Sequence, residues 1–269
     1  MSSSPRPWEL VDAINQTVNV QMHNISTTEW DENHISFLLV QGLRQTLQQT
    51  SDLETQNSRS THKRTPLRIQ AEAYKVSGAL EQTHGDIVVV ITHVVDGYKV
   101  TGLGFYEAKA AGLDYGYPAF NMRQLRCLTS STPRLSLLLY ERTSMPVQDD
   151  EFSFPDRTME ARSFARARVL GANLASRFRK PDVAELYAQS FGYHFVTRYL
   201  SGRDLDYSRS PAASLRRWLR VTKRASPILV AVTVSNKDPE PPLAYLPEYV
   251  ALPVPAPRLG AQNLKRLTK

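Results

Sequence analysis

The dipeptide Asp96–Gly97 constrains the fold of this chain most strongly, because it lies between two long runs of β-forming residues. Residues 86–95 (DIVVVITHVV) precede it and residues 98–109 (YKVTGLGFYEAK) follow it. Asp-Gly in this setting is typical of a two-residue hairpin, whose type I′ turn requires positive φ at both central residues. The sequence therefore predicts two antiparallel strands in which Val95 is paired with Tyr98.

Three charged residues interrupt this apolar hairpin at its open end. Counting from the turn places Asp86 opposite Glu107 on one face of the sheet, in a pair whose Cβ atoms lie roughly 4.5–5.5 Å apart. A divalent cation such as Mg²⁺ offsets the repulsion between two such carboxylates, since it prefers oxygen ligands. Lys109 follows on the same face and can position or deprotonate an attacking water, or stabilise phosphorane-like charge. The pattern predicts a metal-assisted phosphodiester hydrolysis site; the simpler interpretation is a pair of solvated strand ends.

A helix is predicted from Thr28, because apolar residues such as Ile35, Leu39 and Leu43 then recur at helical spacing. Glu32 projects onto the same stripe. A carboxylate on an apolar stripe is costly unless it is paired or bound to a metal. Alternatively, Glu32 is an acid at a helix N-terminus, where the helix dipole favours negative charge. Both interpretations are open at this stage.

The patterning divides the chain into four segments. Residues 1–27 are a polar N-terminal segment, expected to be loosely ordered at its start. Residues 28–146 hold a predicted core, in which strands are also expected at 67–76 and 134–141 and a short helix begins near Phe120. Residues 147–238 are predicted as a basic, mainly helical extension with a late strand, and residues 239–269 form a Pro-rich tail.

The chain has a net charge of +7, mostly from arginine, which is compatible with binding to nucleic acid. Five arginines lie in a first helix predicted at 158–180, which is followed by helices predicted at 182–200 and 212–223. These helices either line a nucleic-acid channel or are solvated faces and docking surfaces for a partner subunit. A helical arginine pattern does not decide between the two.

Several classes of protein are disfavoured by motifs that the sequence lacks. The one cysteine, Cys127, excludes a multi-thiolate zinc site and is predicted to be a packed core thiol. Neither a GxxxxGK[ST] phosphate loop nor a GxSxG nucleophile motif occurs, and His194, set among aromatic residues, is predicted to be structural. Glu72 and Glu81 are expected to be exposed. The absence of a signal-like or membrane-length apolar stretch favours a cytoplasmic location.

Five short stretches carry a resemblance to a known family. They are ENHISFLLVQGL, GDIVVVI, FYEAKAAG, NMRQLRCL and SLLLYE, in that order along the chain. Together they resemble the restriction-endonuclease-like, or PD-(D/E)xK, nuclease superfamily over about the first 145 residues. The resemblance implies an α/β fold, with a mixed β-sheet core flanked by helices in the order α-β-β-β-α-β.

The resemblance also implies roles for particular residues. Asp86 and Glu107 would bind Mg²⁺ (or Mn²⁺), Lys109 would support the nucleophilic water, and Glu32 would complete the metal shell. In the family, a polar residue, often Gln, lies on the helix after the ExK motif, and Gln124 matches this residue. Gly85 stands where the family usually has proline before the aspartate.

The expected function is therefore metal-dependent hydrolysis of DNA. Because no motor or specificity module is evident, a partner subunit of helicase or ATPase type is expected, as in an effector of an anti-phage or restriction system. The alternative is a non-catalytic DNA-binding or scaffolding subunit on a nuclease-like fold.

Overall fold

A computed structural model of the chain describes residues 6–50, 52–53, 67–75, 85–112, 117, 120–145, 162–178, 187–207, 228–236 and 250–251. Its helices are α1 (Pro7–His23), α2 (Glu32–Gln49), α3 (Met122–Ser131), α4 (Ala172–Ala175) and α5 (Phe191–His194), with a 3₁₀ turn at Thr27–Glu29 and a π-helical turn at Phe195–Tyr199. Its strands are β1 (Asp52–Leu53), β2 (Leu67–Lys75), β3 (Ile87–Val95), β4 (Tyr98–Ala110), β5 (Ser136–Met145), β6 (Arg162–Gly171), β7 (Gln189–Ser190), β8 (Ile228–Ser235) and β9 (Val250–Ala251).

All of these strands belong to one mixed sheet, in the order β1-β2-β8-β3-β4-β5-β6-β7, with β9 paired to β2. One face carries α1, α2 and α5 over an extensive apolar core. The other face carries α3 and α4 over a smaller one. The predicted mixed sheet flanked by helices is therefore confirmed as an α/β architecture.

The hairpin of β3 and β4 has the predicted turn and register. Asp96 has φ 52° and Gly97 has φ 86°, as a type I′ turn requires. Val88 pairs with Phe105, which confirms the count from the turn. The apolar alternation fixes this register, because a shift of one residue would turn every buried side chain toward the opposite face.

Strand β8 occupies a place that local patterning did not predict. It lies between β2 and β3, antiparallel to the first and parallel to the second. The late strand predicted within residues 147–238 is confirmed at Ile228–Ser235, and it contributes Val230, Ala231 and Val232 to the buried interior. The sheet thus joins strands from both sides of residue 146.

The start of the chain is more regular than expected. Helix α1 covers most of the N-terminal segment 1–27, for which no helix was predicted, and it buries Leu10, Ile14, Val18 and Met22 on one stripe. Helix α2 begins at Glu32 rather than at Thr28, because the Asp31 side chain caps it by accepting from the N–H groups of Asn33 and His34. Four-residue spacing of apolar side chains explains why the N-terminal segment folds as a helix.

The helix predicted at 158–180 is wrong over residues 162–171, which form strand β6 paired with β5 over its whole length. Within the described part of this range, only Ala172–Ala175 is helical. Ala165, Ala167 and Val169 face one core, while the intervening arginines face the other side. This period of two belongs to a strand. Of the helix predicted at 182–200 the structure describes residues 187–200, and within these only the part from Phe191 to Tyr199 is helical.

The helix predicted at 212–223 lies outside the described residues, as does the Pro-rich tail except for β9. Within the described ranges, no helix combines the length and apolarity that a membrane crossing needs.

Candidate active site

Asp86 stands at the entrance to β3, where the chain enters the sheet from Gly85. Gly85 has φ 96°, and a Cβ there would come within 2.6 Å of the Tyr106 carbonyl oxygen. The N–H of Asp86 donates to that carbonyl at 2.8 Å. The β3–β4 ladder ends with Ile87 opposite Tyr106, so Asp86 and Glu107 are not the regular cross-strand pair that was predicted. Instead, Oδ2 of Asp86 accepts from the N–H of Ala108 at 2.6 Å.

Glu107 is the buried acid of the site, with 3% of its surface exposed. Its Oε1 accepts from Nζ of Lys109 at 3.0 Å and from Nε2 of Gln124 at 2.9 Å. A buried carboxylate is tolerated only when such donors compensate for its lost hydration. The β3–β4 hairpin and α3 therefore meet at Glu107.

Lys109 connects the acids of the site. Its Nζ lies 3.0 Å from Oε1 of Glu107, 3.5 Å from Oε2 of Glu32 and 2.7 Å from the carbonyl oxygen of Ala108. Burial lowers the pKa of Lys109, but Glu107 and Glu32 together outweigh burial and hold this pKa above its ordinary value. Lys109 is therefore an ammonium at neutral pH, and in this arrangement it can orient a water and donate a hydrogen bond but cannot accept a proton.

Glu32 reaches the site from the first turn of α2, across the end of β4. Its Oε1 accepts from the N–H of Ala110 at 3.3 Å. The indole of Trp30 donates to the Ala111 carbonyl at 3.0 Å and ties the start of α2 to the same strand end. Glu32 thus contacts both the backbone of β4 and Lys109, which a solvated acid at a helix end would not do.

The carboxyl of Asp86 titrates far from its ordinary range. Burial raises its pKa, the neighbouring Glu107 raises it further, and the Ala108 N–H and Lys109 only partly oppose this, so that the pKa is about 7. Asp86 and Glu107 therefore repel each other when both are ionised, as expected for two acids near one point. A cation bound between them would relieve this repulsion.

The chemistry of the donor set fits Mg²⁺ or Mn²⁺. Asp86, Glu107 and Glu32 offer hard carboxylate oxygens, and Mg²⁺ in proteins commonly uses one or two carboxylates and retains several waters. Across the described ranges, however, no three His, Cys, Asp or Glu side chains are grouped so that together they could hold a metal ion. The ammonium of Lys109 lies among the acids instead.

Helix α3 covers the site from the side of the smaller core. Asn121 caps it by accepting from the N–H of Gln124 at 3.1 Å, which places the Gln124 amide above Glu107. Phe120 and Leu137 line the small pocket beside these residues. The structure thus brings together Glu32, Asp86, Glu107, Lys109 and Gln124, the five residues singled out in the sequence.

A second polar group on the same sheet face was not predicted as part of the site. Glu141 of β5 is buried, and its carboxylate accepts from Nε of Arg166, from Nε of Arg168 at 2.7 Å and from the Tyr117 hydroxyl at 3.1 Å. The signal in the sequence was an acid directly after a continuous apolar run. A helix at 158–180, as predicted, would not align Arg166 and Arg168 with Glu141, so the sequence did not indicate these two partners.

The other residues considered lie elsewhere. Glu72 forms a 2.8 Å ion pair with Arg44, and Glu81 lies outside the described residues. His194 is buried, bonded at 2.9 Å to the Tyr106 hydroxyl, and burial lowers its pKa to about 4, which agrees with a structural role. Cys127 is exposed, so its prediction as a core thiol is wrong: Leu125 and Leu128 are the buried residues of α3.

Comparison with models of protein families, with curated proteins and with solved structures finds no match to this chain. The possible chemistry of the site is therefore inferred from three of its own features. The pKa of Asp86 is raised to about 7, Glu107 is buried, and the ammonium of Lys109 lies between acidic side chains.

Proposed function

We propose that this chain is a Mg²⁺- or Mn²⁺-dependent nuclease that hydrolyses phosphodiester bonds of DNA, on a restriction-endonuclease-like fold. The observation that carries the proposal is the convergence of Asp86 and Glu107, with the ammonium of Lys109 beside them. Burial, and then the charge of Glu107, raise the pKa of Asp86 to about 7. Such a grouping destabilises the folded chain and has a ready explanation as a cation site.

Asp86 and Glu107 would hold the metal, with Glu32 as a further oxygen donor. When bound, the metal would lower the pKa of a water and polarise a phosphoryl oxygen. Lys109 orients the attacking water through its ammonium and stabilises negative charge that develops on the phosphate. Gln124 keeps the Glu107 carboxylate in one orientation, because its amide donates to Oε1.

The family resemblance and the net charge of +7 support DNA as the substrate, a protein subunit as the partner and a role in defence. A polyanionic substrate suits a basic chain. A helicase or ATPase subunit would supply the strand separation or translocation for which this sequence offers no phosphate loop. Anti-phage and restriction systems combine such subunits.

The test is cleavage of plasmid and of single-stranded DNA with Mg²⁺, with Mn²⁺ and with EDTA. Glu107→Ala and Lys109→Ala should abolish cleavage that the wild-type chain shows only with metal. Asp12→Ala is the matched control, since Asp12 is exposed on α1 over the opposite sheet face. Metal-dependent cleavage that persists in both site variants would contradict the assignment.

A non-catalytic DNA-binding subunit is a second candidate, and one observation favours it. Lys109 already bridges Glu107 and Glu32, so the acids have a cationic partner without metal. This candidate predicts DNA binding without hydrolysis, and no stabilisation of the protein by Mg²⁺ or Mn²⁺. Thermal denaturation with and without metal separates it from the nuclease.

A further inference from the structure

Helix α3 presents two arginines to solvent next to the candidate site. Arg123 and Arg126 are exposed, and their three-residue spacing makes them neighbours on the helix surface. Between them in the chain, Gln124 reaches Glu107, so this helix surface adjoins the acids of the site. Within the part of the chain that the structure describes, no ion pair joins either arginine to a carboxylate.

The two segments that contain α3 and α4 lack acidic residues. Residues 120–135 and 162–178 include both helices and hold no Asp or Glu. A further cation, Arg177, follows α4 and is exposed. Helix α1 on the opposite face, by contrast, carries Glu9 and Asp12. The α3–α4 side of the sheet is therefore the better binding surface for a polyanion.

Hydrogen bonds hold α4 against the segment that follows α3. Nδ2 of Asn173 donates to the carbonyl oxygen of Pro133 at 2.8 Å, and the N–H of Ala172 donates to that of Leu135 at 3.0 Å. Ala172 and Ala175 are buried in the smaller core beneath both helices. The two helices therefore form one continuous surface.

A stacked pair of aromatic rings lies on the same side of the sheet. Phe178 packs against the smaller core, and the Tyr187 ring stacks on it with centroids 5.2 Å apart and an interplanar angle of 18°. Tyr187 is 61% exposed. An exposed ring that is supported from behind can stack on a nucleobase. Because only an unpaired base offers its face in this way, the pair favours a single strand over a duplex.

The sheet register gives the distance from the aromatic pair to the site. Glu107 is on β4, and Leu137 and Leu170 are the residues aligned with it on β5 and β6. Gln189, which follows Tyr187 closely, lies on β7, the next strand. Three strand spacings of about 4.8 Å place the Cα atom of Gln189 about 15 Å from that of Glu107. Stacked nucleotides are about 3.4 Å apart along the axis, so about four of them span this distance.

We propose that the α3–α4 surface binds single-stranded DNA and leads it to the candidate site, with backbone phosphates on Arg123 and Arg126 and a base stacked on Tyr187. The proposal rests on the proposed nuclease function, because it defines the strand that reaches Glu107. Guanidinium groups bind phosphates and an aromatic ring stacks on any base, so this surface binds DNA with little dependence on sequence.

The first test is fluorescence anisotropy with a labelled single-stranded oligonucleotide in EDTA, so that binding is measured without cleavage. The double variant Arg123→Gln/Arg126→Gln should weaken binding about tenfold and reduce the slope of log Kobs against log salt by about 1.4. Arg6→Gln/Lys99→Gln is the matched control, because it removes the same charge far from this surface. Arg6 is exposed beside α1 on the opposite face, and Lys99 is exposed about 26 Å along β4 from Glu107. Equal losses of affinity in the two double variants would overturn the proposal.

The second test separates stacking from charge. Tyr187→Ala should weaken binding of the single strand at least about fivefold and should change binding of a duplex less than about twofold. Tyr193→Ala, which removes a 50% exposed tyrosine from α5 on the opposite face, is the control and should change neither. An abasic single strand should bind the wild type and Tyr187→Ala equally, which a misfolded variant would not do. Equal losses for single strand and duplex would show that no base stacks on Tyr187.

The outcomes distinguish this inference from the proposed function. Cleavage by the wild type, with affinity for the single strand unchanged in the arginine and Tyr187 variants, overturns the α3–α4 surface alone. Binding that depends on these residues, without cleavage in Mg²⁺ or Mn²⁺, supports the surface and contradicts the nuclease. A wild-type chain that neither binds nor cleaves DNA overturns both.

Discussion

Replacement of Asp86 by asparagine should stabilise the metal-free protein at alkaline pH. Burial and the adjacent Glu107 raise the pKa of Asp86 from 3.8 to about 7. The folded chain therefore binds this proton more tightly than the unfolded chain does, and stability is lost as pH rises from 3.8 to about 7. Above that range both states are ionised and the full cost is present.

The size of this effect follows from the same two values. The rise from 3.8 to about 7 corresponds to roughly 4 kcal/mol of unfolding free energy at about pH 8. At about pH 5 less than half of this cost is present, because the folded Asp86 is still largely protonated. Asparagine has nearly the same shape, carries no charge, and can still accept from the Ala108 N–H.

The assay is urea denaturation of the wild type and Asp86→Asn in EDTA at both pH values. The variant should gain about 2–4 kcal/mol at about pH 8 and less than half of that gain at about pH 5. Asp12→Asn, which removes an exposed acid on α1, is the control and should show no such difference. An equal gain at both pH values, or a loss at about pH 8, would refute the reasoning.

Three further predictions concern the groups around the site. Mg²⁺ at about 100 times its Kd should raise the unfolding free energy of the wild type by about 2.7 kcal/mol at alkaline pH, and thermal denaturation should show no such gain for Glu107→Gln. Trp30→Phe removes the hydrogen bond to the Ala111 carbonyl and should cost about 1 kcal/mol of unfolding free energy in urea denaturation. It should also lower cleavage, because this hydrogen bond anchors the helix start that carries Glu32. A loss of stability with full cleavage activity would contradict the link between Trp30 and Glu32. Gly104→Ala should lower the unfolding free energy by about 1–3 kcal/mol, since an added Cβ would collide with the Tyr199 ring. In Gly97→Ala the added Cβ meets no atom, so this variant tests only the cost of the positive φ. A smaller loss of stability at Gly104 than at Gly97 would be evidence against tight packing around Gly104.

Local chemistry in the sequence was sufficient for the hairpin and for most of the site. Asp96–Gly97 selects one turn, and the alternating apolar residues of β3 and β4 then permit one register, which brings Asp86, Glu107 and Lys109 to the same end of the sheet. Gln124 was predicted from the family resemblance alone, and the cap at Asn121 that orients its helix is seen in the structure. These features depend on residues close together in the chain.

Only the tertiary structure decided the pairing of distant segments. Strand β8 lies between β2 and β3 because its continuous apolar run needs burial on both faces. No short-range pattern in the sequence predicts which strands it pairs with. The arginines at 166 and 168 fit a helix or a strand by composition, but pairing of β6 with β5 aligns them with the buried carboxylate of Glu141. Burial and long-range pairing thus determine the sheet order and the second polar group, because both depend on contacts that short-range patterns do not specify.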